Sequence, residues 1–296
     1  MSNEALKNQL RSWLQWCQQK WAIAWQWYKG LYKGRPWYVK TLSFVISVIV
    51  AFFLYLGAVD INFLWLFGKS PSMSTIKNKR PAEASIIYSA DGKVIGKFFS
   101  ENRTPVTYEE VNPVFWQALI DTEDERFYSH HGIDYTAFAA VAKEYILHRD
   151  ARGASTITKQ LAKNLFRTRS EYSTGLLGYI PGLKMLIMKS KEWITAYKLE
   201  FFFTKNEILT QYANTVDFGS NAFGIKTACK TYFGCAPKDL TPENAAILVG
   251  MLKATTYYNP LINPDNSLKR RNIVLDLMRQ HNHLTDAQCD SLKLLD

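Results

Sequence analysis

The longest apolar stretch of the chain, Leu42 to Val59, carries no charged residue. Asp60 interrupts it, and Ile61 to Phe67 is again mostly apolar. About 20 such residues cross a hydrocarbon core as a helix, so the pattern predicts a transmembrane anchor over 41–67. The run is too long and starts too late for a cleaved signal peptide. Ahead of it, Leu10, Trp13, Leu14, Cys17, Trp21, Trp25 and Tyr28 fall on one helical face. Behind it, 68–84 is polar, contains Pro and Ser, and reads as a linker. Ser85 to Phe99 then alternates apolar and polar residues around Asp91-Gly92, the signal of a β-hairpin with a primed turn. From Tyr108 the period becomes helical: Val111, Val114, Phe115 and Leu119 share a face, with Pro113 near the start. No strand pattern follows Phe99, and no repeat or second domain boundary interrupts the rest. Ser173 to Met188 is apolar but broken by Gly175, Gly178, Pro181 and Gly182. It is too short to span a bilayer. It suits either a segment dipping into the outer leaflet or a buried loop. The expectation is a mainly α fold with a short N-terminal β-hairpin and one N-terminal transmembrane helix.

Charge gives this pattern a direction. Residues 1–40 hold seven Lys/Arg against one acid, Glu4. The positive-inside bias therefore places this basic, Trp-rich tail in the cytoplasm and everything after about Lys69 outside. A tail of this kind is either a helix lying in the membrane interface or a partner-binding segment. The net charge is +10, yet outside residues 1–40 the chain carries only +4, from 29 basic and 25 acidic residues. The basic excess is concentrated between Arg149 and Lys191, where nine Lys/Arg against two acids give +7 and the remainder is net acidic. Nucleic acid is out of place outside the cell membrane, so the matching ligand is a lipid-borne phosphate or pyrophosphate. Of the four cysteines, Cys17 is cytoplasmic and Cys229, Cys235 and Cys289 external. Their odd external count and wide spacing give neither a disulfide framework nor a metal pattern. They read as small buried residues rather than as a Cys229–Cys235 bridge.

Three stretches carry candidate chemistry. Glu123 to Gly132 packs three carboxylates and two histidines between apolar runs, where charge is costly to keep. Arg152 to Phe166 places Gly153, Ser155, Thr156 and Thr158 at a helix start, followed by Lys159, Gln160 and Lys163. Helix starts offer free N–H groups that favour anions, although hydroxyls there are also ordinary caps. Lys184 to Glu200 sets Lys189, Lys191 and Glu192 early in a third helix.

Together these stretches resemble the peptidoglycan glycosyltransferases of penicillin-binding proteins and monofunctional transglycosylases. The first motif of that family, Glu-Asp-x-x-Phe-x-x-His-x-Gly, is met by Glu123, Asp124, Phe127, His130 and Gly132. The second, Gly-x-Ser-Thr-x-Thr-Gln-Gln, is met by Gly153, Ser155, Thr156, Thr158 and Gln160, with Lys159 replacing the first Gln. In the third, Arg-Lys-x-x-Glu, Lys189 and Glu192 fit and Met188 replaces the Arg. Lys184, Arg167 or Arg169 can stand in for it. Tyr212, Asn214 and Phe218 to Phe233, then Glu243 to Pro260, resemble the family's later regions. The likeness runs from about Ser85 to Met278.

The resemblance implies a partly lysozyme-like, mainly helical glycosyltransferase domain over 85–280, with a small membrane-facing lobe. It implies polymerisation of lipid II into β-1,4-linked glycan with inversion and release of undecaprenyl pyrophosphate. Glu123 is expected as general base, with Glu192 as the second catalytic carboxylate. Glu192 would hold either a divalent cation (Mg or Mn) or an ordered Lys beside the diphosphate. Asp124, Ser155, Thr156, Gln160, Lys163 and Lys189 are expected to bind or position substrate. The expected partners are lipid II, the growing strand, membrane lipids and other cell-wall synthesis proteins, with no nucleic acid. The expected setting is the bacterial inner membrane, single-pass, with the catalytic domain periplasmic. A lytic, glycan-cleaving enzyme and a non-catalytic cell-wall scaffold are the alternatives. Residues 281–296 read as a tail or as the approach to a further domain.

Overall fold

The computed structural model describes residues 3–30, 32–79, 85–91, 94–98, 104–146, 155–169 and 174–295. The chain forms two compact units, Met1–Ala58 and Val59–Asp296.

The first unit holds α1 (Asn3–Gly30) and nearly all of α2 (Trp37–Asp60). Along α1, Lys20 lies over the ring of Trp16 and Lys29 over that of Trp25, each one turn apart. Among the described residues α2 is the one helix long and apolar enough to cross a membrane. Its 24 residues would reach about 36 Å, against a hydrocarbon core of about 30 Å. The helix thus starts earlier and ends earlier than the hydropathy run suggests. Ile61 to Phe67 leave it as turns around a short 3₁₀ segment, Phe63–Trp65, with Asn62, Leu64 and Trp65 at positive φ. Asp60 is salt-bridged to Lys198 and the Asn62 side chain accepts from the Phe67 N–H. These polar anchors belong to the second unit and end the helix there.

The second unit opens with a short helix, α3 (Met73–Asn78), capped by Ser72. The hairpin follows: β1 (Ser85–Tyr88) and β2 (Val94–Phe98) pair antiparallel, with a bulge between Ile87 and Tyr88. The expected primed turn at Asp91-Gly92 falls partly outside the described residues. The connection spans residues 89–93, and the Ser89 hydroxyl donates to the Asp91 carboxylate across it. Gly92 lies outside the described residues.

The rest is helical: α4 (Pro113–Glu123), α5 (Tyr135–Ile146), α6 (Ile157–Leu165), α7 (Leu183–Phe202), α8 (Lys205–Thr215), α9 (Ile225–Phe233), α10 (Pro242–Met251), α11 (Pro264–Gln280) and α12 (Asp286–Lys293). Local chemistry sets their ends. Asn112 caps α4, with Pro113 at its first position; Thr204 and Glu207 form a capping box on α8, as Thr285 and Gln288 do on α12. Phe115, Trp116 and Leu119 of α4 are buried with Leu248 and Val249 of α10 and Val274, Leu275 and Met278 of α11. α6 packs on α7 and α8. The amide of Asn214 ties down the segment before α4, accepting from Val106 N and donating to Val106 O. Cys229, Cys235 and Cys289 are free thiols; Cys229 and Cys289 are fully buried, and burial pushes the Cys229 thiol up.

The broken apolar segment is not core. Leu176, Tyr179, Ile180, Met185 and Leu186 are exposed, and only Ile187 and Met188 at its end are buried. Its short 3₁₀ segment, Leu176–Tyr179, is held from behind, where Leu177 N–H donates to Leu66 O at 2.9 Å. Gly175 sits at φ +62, and a Cβ there would lie 2.4 Å from Gly68 N. The contact requires glycine.

Candidate active site

α4 delivers Glu123 at its last residue and Asp124 at its C-cap. The opposite side of that helix end is fixed by Asp121, whose carboxylate meets His283 Nδ1 at 2.6 Å and His281 Nδ1 at 3.6 Å. Burial raises the Asp121 pKa, and His283 offsets part of that rise.

Asp124 is buried and fully engaged. It meets His130 Nε2 at 2.9 Å and accepts from Ile157 N at 3.0 Å. Phe127 is fully buried beside His130, and Lys205 donates to His130 O and lies 4.4 Å from the Phe127 ring. Gly132 has φ +81, and a Cβ there would lie 3.1 Å from the Ala196 carbonyl on α7. The first motif is therefore a knot that binds the end of α4 to the start of α6 and the middle of α7.

The start of α6 is not the open anion site that its hydroxyls suggest. The Ile157 N–H is taken by Asp124, and the Lys159 N–H by the Thr156 hydroxyl. Thr156 also donates to Gly132 O at 2.6 Å, and Thr158 donates to Glu200 Oε1 at 2.6 Å. The carboxylate that a helix start favours is already there, from 33 residues earlier in the chain. Ser155 is exposed. Gly153 lies outside the described residues.

From the next turn of α6, Gln160 and Lys163 share a face. Gln160 Nε2 donates to Glu123 Oε2 at 2.6 Å, and its Oε1 accepts from Tyr212 Oη of α8 at 2.9 Å. Among the described residues Gln160 is the one hydrogen-bond partner of the Glu123 side chain, which is half-buried. One turn further, burial lowers the Lys163 pKa; neighbouring Arg169 lowers it too, while Glu192 and Glu123 raise it. Lys163 thus lies within electrostatic reach of both carboxylates. Glu192, buried on α7, accepts from Lys189 Nζ at 2.8 Å and Arg169 Nε at 3.0 Å, one on each oxygen. Of the three bases able to replace the motif Arg, Arg169 is the one placed on Glu192. Met188 itself is buried. Lys159, the second departure from the motifs, is also buried in this neighbourhood. Desolvation lowers its pKa, with Lys189 adding to the fall and Asp124 and Glu192 opposing it.

Among the described residues one Glu123 oxygen is bonded, to Gln160, and Lys163, about one turn further along α6, feels the Glu123 charge together with Glu192, Lys189 and Arg169. Glu192 has both oxygens on cations, which fits the ordered-lysine use better than a metal. No cluster of three or more His, Cys, Asp or Glu able to share an ion occurs among the described residues. Sequence reasoning gave no role to Tyr212 and none to the Thr158–Glu200–Lys205 chain, because each joins helices distant along the chain.

The profile of the family described as Transglycosylase matches residues 91–279, and the chain belongs to that family. It is 34% identical over 251 residues to Penicillin-binding protein 1A of Escherichia coli (strain K12), covering 84% of this chain and 28% of that one. It is 36% identical over 266 residues to Penicillin-binding protein 1A/1B of Bacillus subtilis (strain 168), covering 89% of this chain and 27% of that one. This chain therefore spans little more than a quarter of the length of these relatives. A crystal structure of Penicillin-Binding Protein 1A from Haemophilus influenzae matches 73% of this chain and 21% of that one, at 22% identity and a TM-score of 0.41.

Proposed function

We propose that the chain is a membrane-anchored peptidoglycan glycosyltransferase that polymerises lipid II. The observation that carries this reading is the pairing of a half-buried carboxylate, Glu123, with the Lys163–Lys189–Arg169 cations around Glu192. A sugar hydroxyl is a weak nucleophile and needs a base within hydrogen-bond reach. Glu123 takes the proton from the 4-hydroxyl of the acceptor GlcNAc through its free oxygen. The hydroxyl oxygen bonds to C1 of the donor MurNAc while the bond from C1 to the phosphate oxygen breaks, with inversion. The electron pair leaves with undecaprenyl pyrophosphate, whose charge Lys163, Lys189 and Arg169 neutralise. A base contributes typically ~10²–10⁴-fold. The larger share comes from charge stabilisation and from holding both lipids in one groove.

Asp124 holds the motif together, and Ser155 is the second-motif hydroxyl open to substrate. A divalent cation in this reaction would be held by the diphosphate itself, since a place at Glu192 would require displacing Lys189 or Arg169. Rates in EDTA and after added Mg²⁺ test whether the reaction needs one. α2 crosses the inner membrane with the basic tail cytoplasmic and the catalytic unit periplasmic, as the lysine and arginine bias supports.

The test is Glu123→Gln in a lipid II polymerisation assay. The amide keeps the shape and loses the basicity, so the folded variant is expected to make no glycan. Long chains formed at near wild-type rate would remove Glu123 from the role. A lytic enzyme would instead shorten preformed glycan strands in the same assay.

A further inference from the structure

We infer that Tyr212 is a positioning residue for the base: it fixes the orientation of the Gln160 amide and thereby the state of Glu123. The inference rests on the reading of Glu123 given above. Three helices meet here: α4 brings Glu123, α6 Gln160 and α8 Tyr212. An ionised carboxylate only accepts hydrogen bonds, so the amide must turn its NH₂ to Glu123 and its oxygen to Tyr212. The two distances, 2.6 Å and 2.9 Å, fit that single orientation. Tyr212 is 1% exposed. Burial, with the negative Glu123 nearby, raises its pKa well above 10, so the phenol keeps its proton and donates.

The result is a chain of donors running from the core to the base: phenol O–H to amide oxygen, amide N–H to carboxylate. Such chains polarise one another. Without the phenol, Gln160 can turn over and set its oxygen against Glu123, where two acceptors repel. The second Glu123 oxygen then loses its fixed direction toward the sugar hydroxyl. The titratable groups around Glu123 are the cationic Lys163 from α6 and, across the Gln160 amide, the neutral Tyr212 from α8; Lys189 and Glu192 of α7 and Arg169 lie around Lys163. None of the others touches Gln160 Oε1, so the orienting task falls to Tyr212.

The experiment is Tyr212→Phe, which keeps the ring and removes one hydroxyl. The expected result is a fall in kcat of about tenfold, within what one misplaced general base loses, with KM for lipid II changed less than twofold. The acid limb of the kcat profile is expected to move upward by roughly half a pH unit or more, because a donor to the charged form is lost. A packing role alone would leave that limb in place. In a Gln160→Leu background the same substitution is expected to have no further effect. Unchanged kcat and acid limb in Tyr212→Phe, or an equal loss in both backgrounds, would overturn the inference. Titration of Glu123 by ¹³C NMR, assigned against Glu123→Gln, separates the two claims. A shifted Glu123 titration in Tyr212→Phe, with Glu123→Gln still active, keeps the positioning and discards Glu123 as the base.

Discussion

Lys163 shows at the scale of one side chain how this site differs from a solvated basic face. It is half-buried, and among the described residues it has no hydrogen-bond or ion-pair partner. Partial burial without such a partner makes that cation a candidate contact for the anion of the proposed substrate. Lys163→Ala is therefore expected to weaken binding of undecaprenyl pyrophosphate by roughly 1.5–3 kcal/mol, the range for hydrogen bonds to charged groups, with no fall in melting temperature. Equal affinity of variant and parent in a calorimetric titration would take Lys163 out of the diphosphate site. The lowered Lys163 pKa also sets a sign: the ligand-binding ammonium is lost as pH rises, at a pH below the usual 10.5. Legibility at this scale is uneven. Glu123, Lys163 and Lys189 stood out in the sequence as candidates, and the structure sets Glu123 on Gln160 and Lys189 on Glu192. Thr156 and Thr158, hydroxyls at a helix start, donate in the structure to Gly132 and Glu200. Their partners lie 24 and 42 residues away in sequence, so no local pattern records them. The choice of Arg169 among three bases was likewise a matter of tertiary placement.

At the scale of elements, helix periods and caps were legible and close approaches were not. The apolar face of α4 is the one that Phe115 and Leu119 mark, but nothing local announces that Gly132 touches α7. Gly132→Ala adds a Cβ 3.1 Å from the Ala196 carbonyl at a φ of +81. It is expected to destabilise by about 1–3 kcal/mol, lowering the melting temperature by roughly 2–4 °C per kcal/mol; an unchanged melting curve would contradict the tight contact. α7 also carries Lys191, fully buried and donating to Lys69 O at 2.7 Å. Burial lowers its pKa from 10.5 to about 8. The unfolded chain therefore binds more protons than the folded one between those values, and stability rises with pH across that window. The full gain is roughly 3 kcal/mol. Lys191→Met is expected to flatten this alkaline rise in denaturant titrations at pH 7.5 and 10; a rise of the same size in the variant would show that Lys191 is not its source.

For the molecule as a whole, the question is what the exposed apolar surface of the second unit faces. Leu176, Tyr179, Ile180, Met185 and Leu186 are exposed along the 3₁₀ segment and the first turn of α7. Ile61, Phe63, Leu64 and Trp65 are exposed on the loop bonded to that segment through Leu66. Soluble monomers rarely leave a contiguous patch of that kind in water. Lys184 on the first turn of α7 is exposed beside it and favours anionic headgroups, at about 1 kcal/mol for each basic residue near the surface. The long apolar helix α2 was legible from composition alone, whereas the loop and the 3₁₀ segment lie more than a hundred residues apart and meet through the Leu177–Leu66 hydrogen bond. The loop also dictates where to cut. Removing residues through 67 would take away Asp60, the partner of Lys198, and Leu66, the acceptor for Leu177. Deleting residues 1–58 respects the boundary between the units and leaves both. That truncated protein is expected to fold, to need detergent, and to float with anionic liposomes more strongly at low salt than at high. In the proposed reaction the pyrophosphate of lipid II would lie at headgroup level, so an enzyme acting on it would gain by resting there. A truncated protein that stays monodisperse without detergent, and sediments away from liposomes at both salt concentrations, would show that this surface does not face the bilayer.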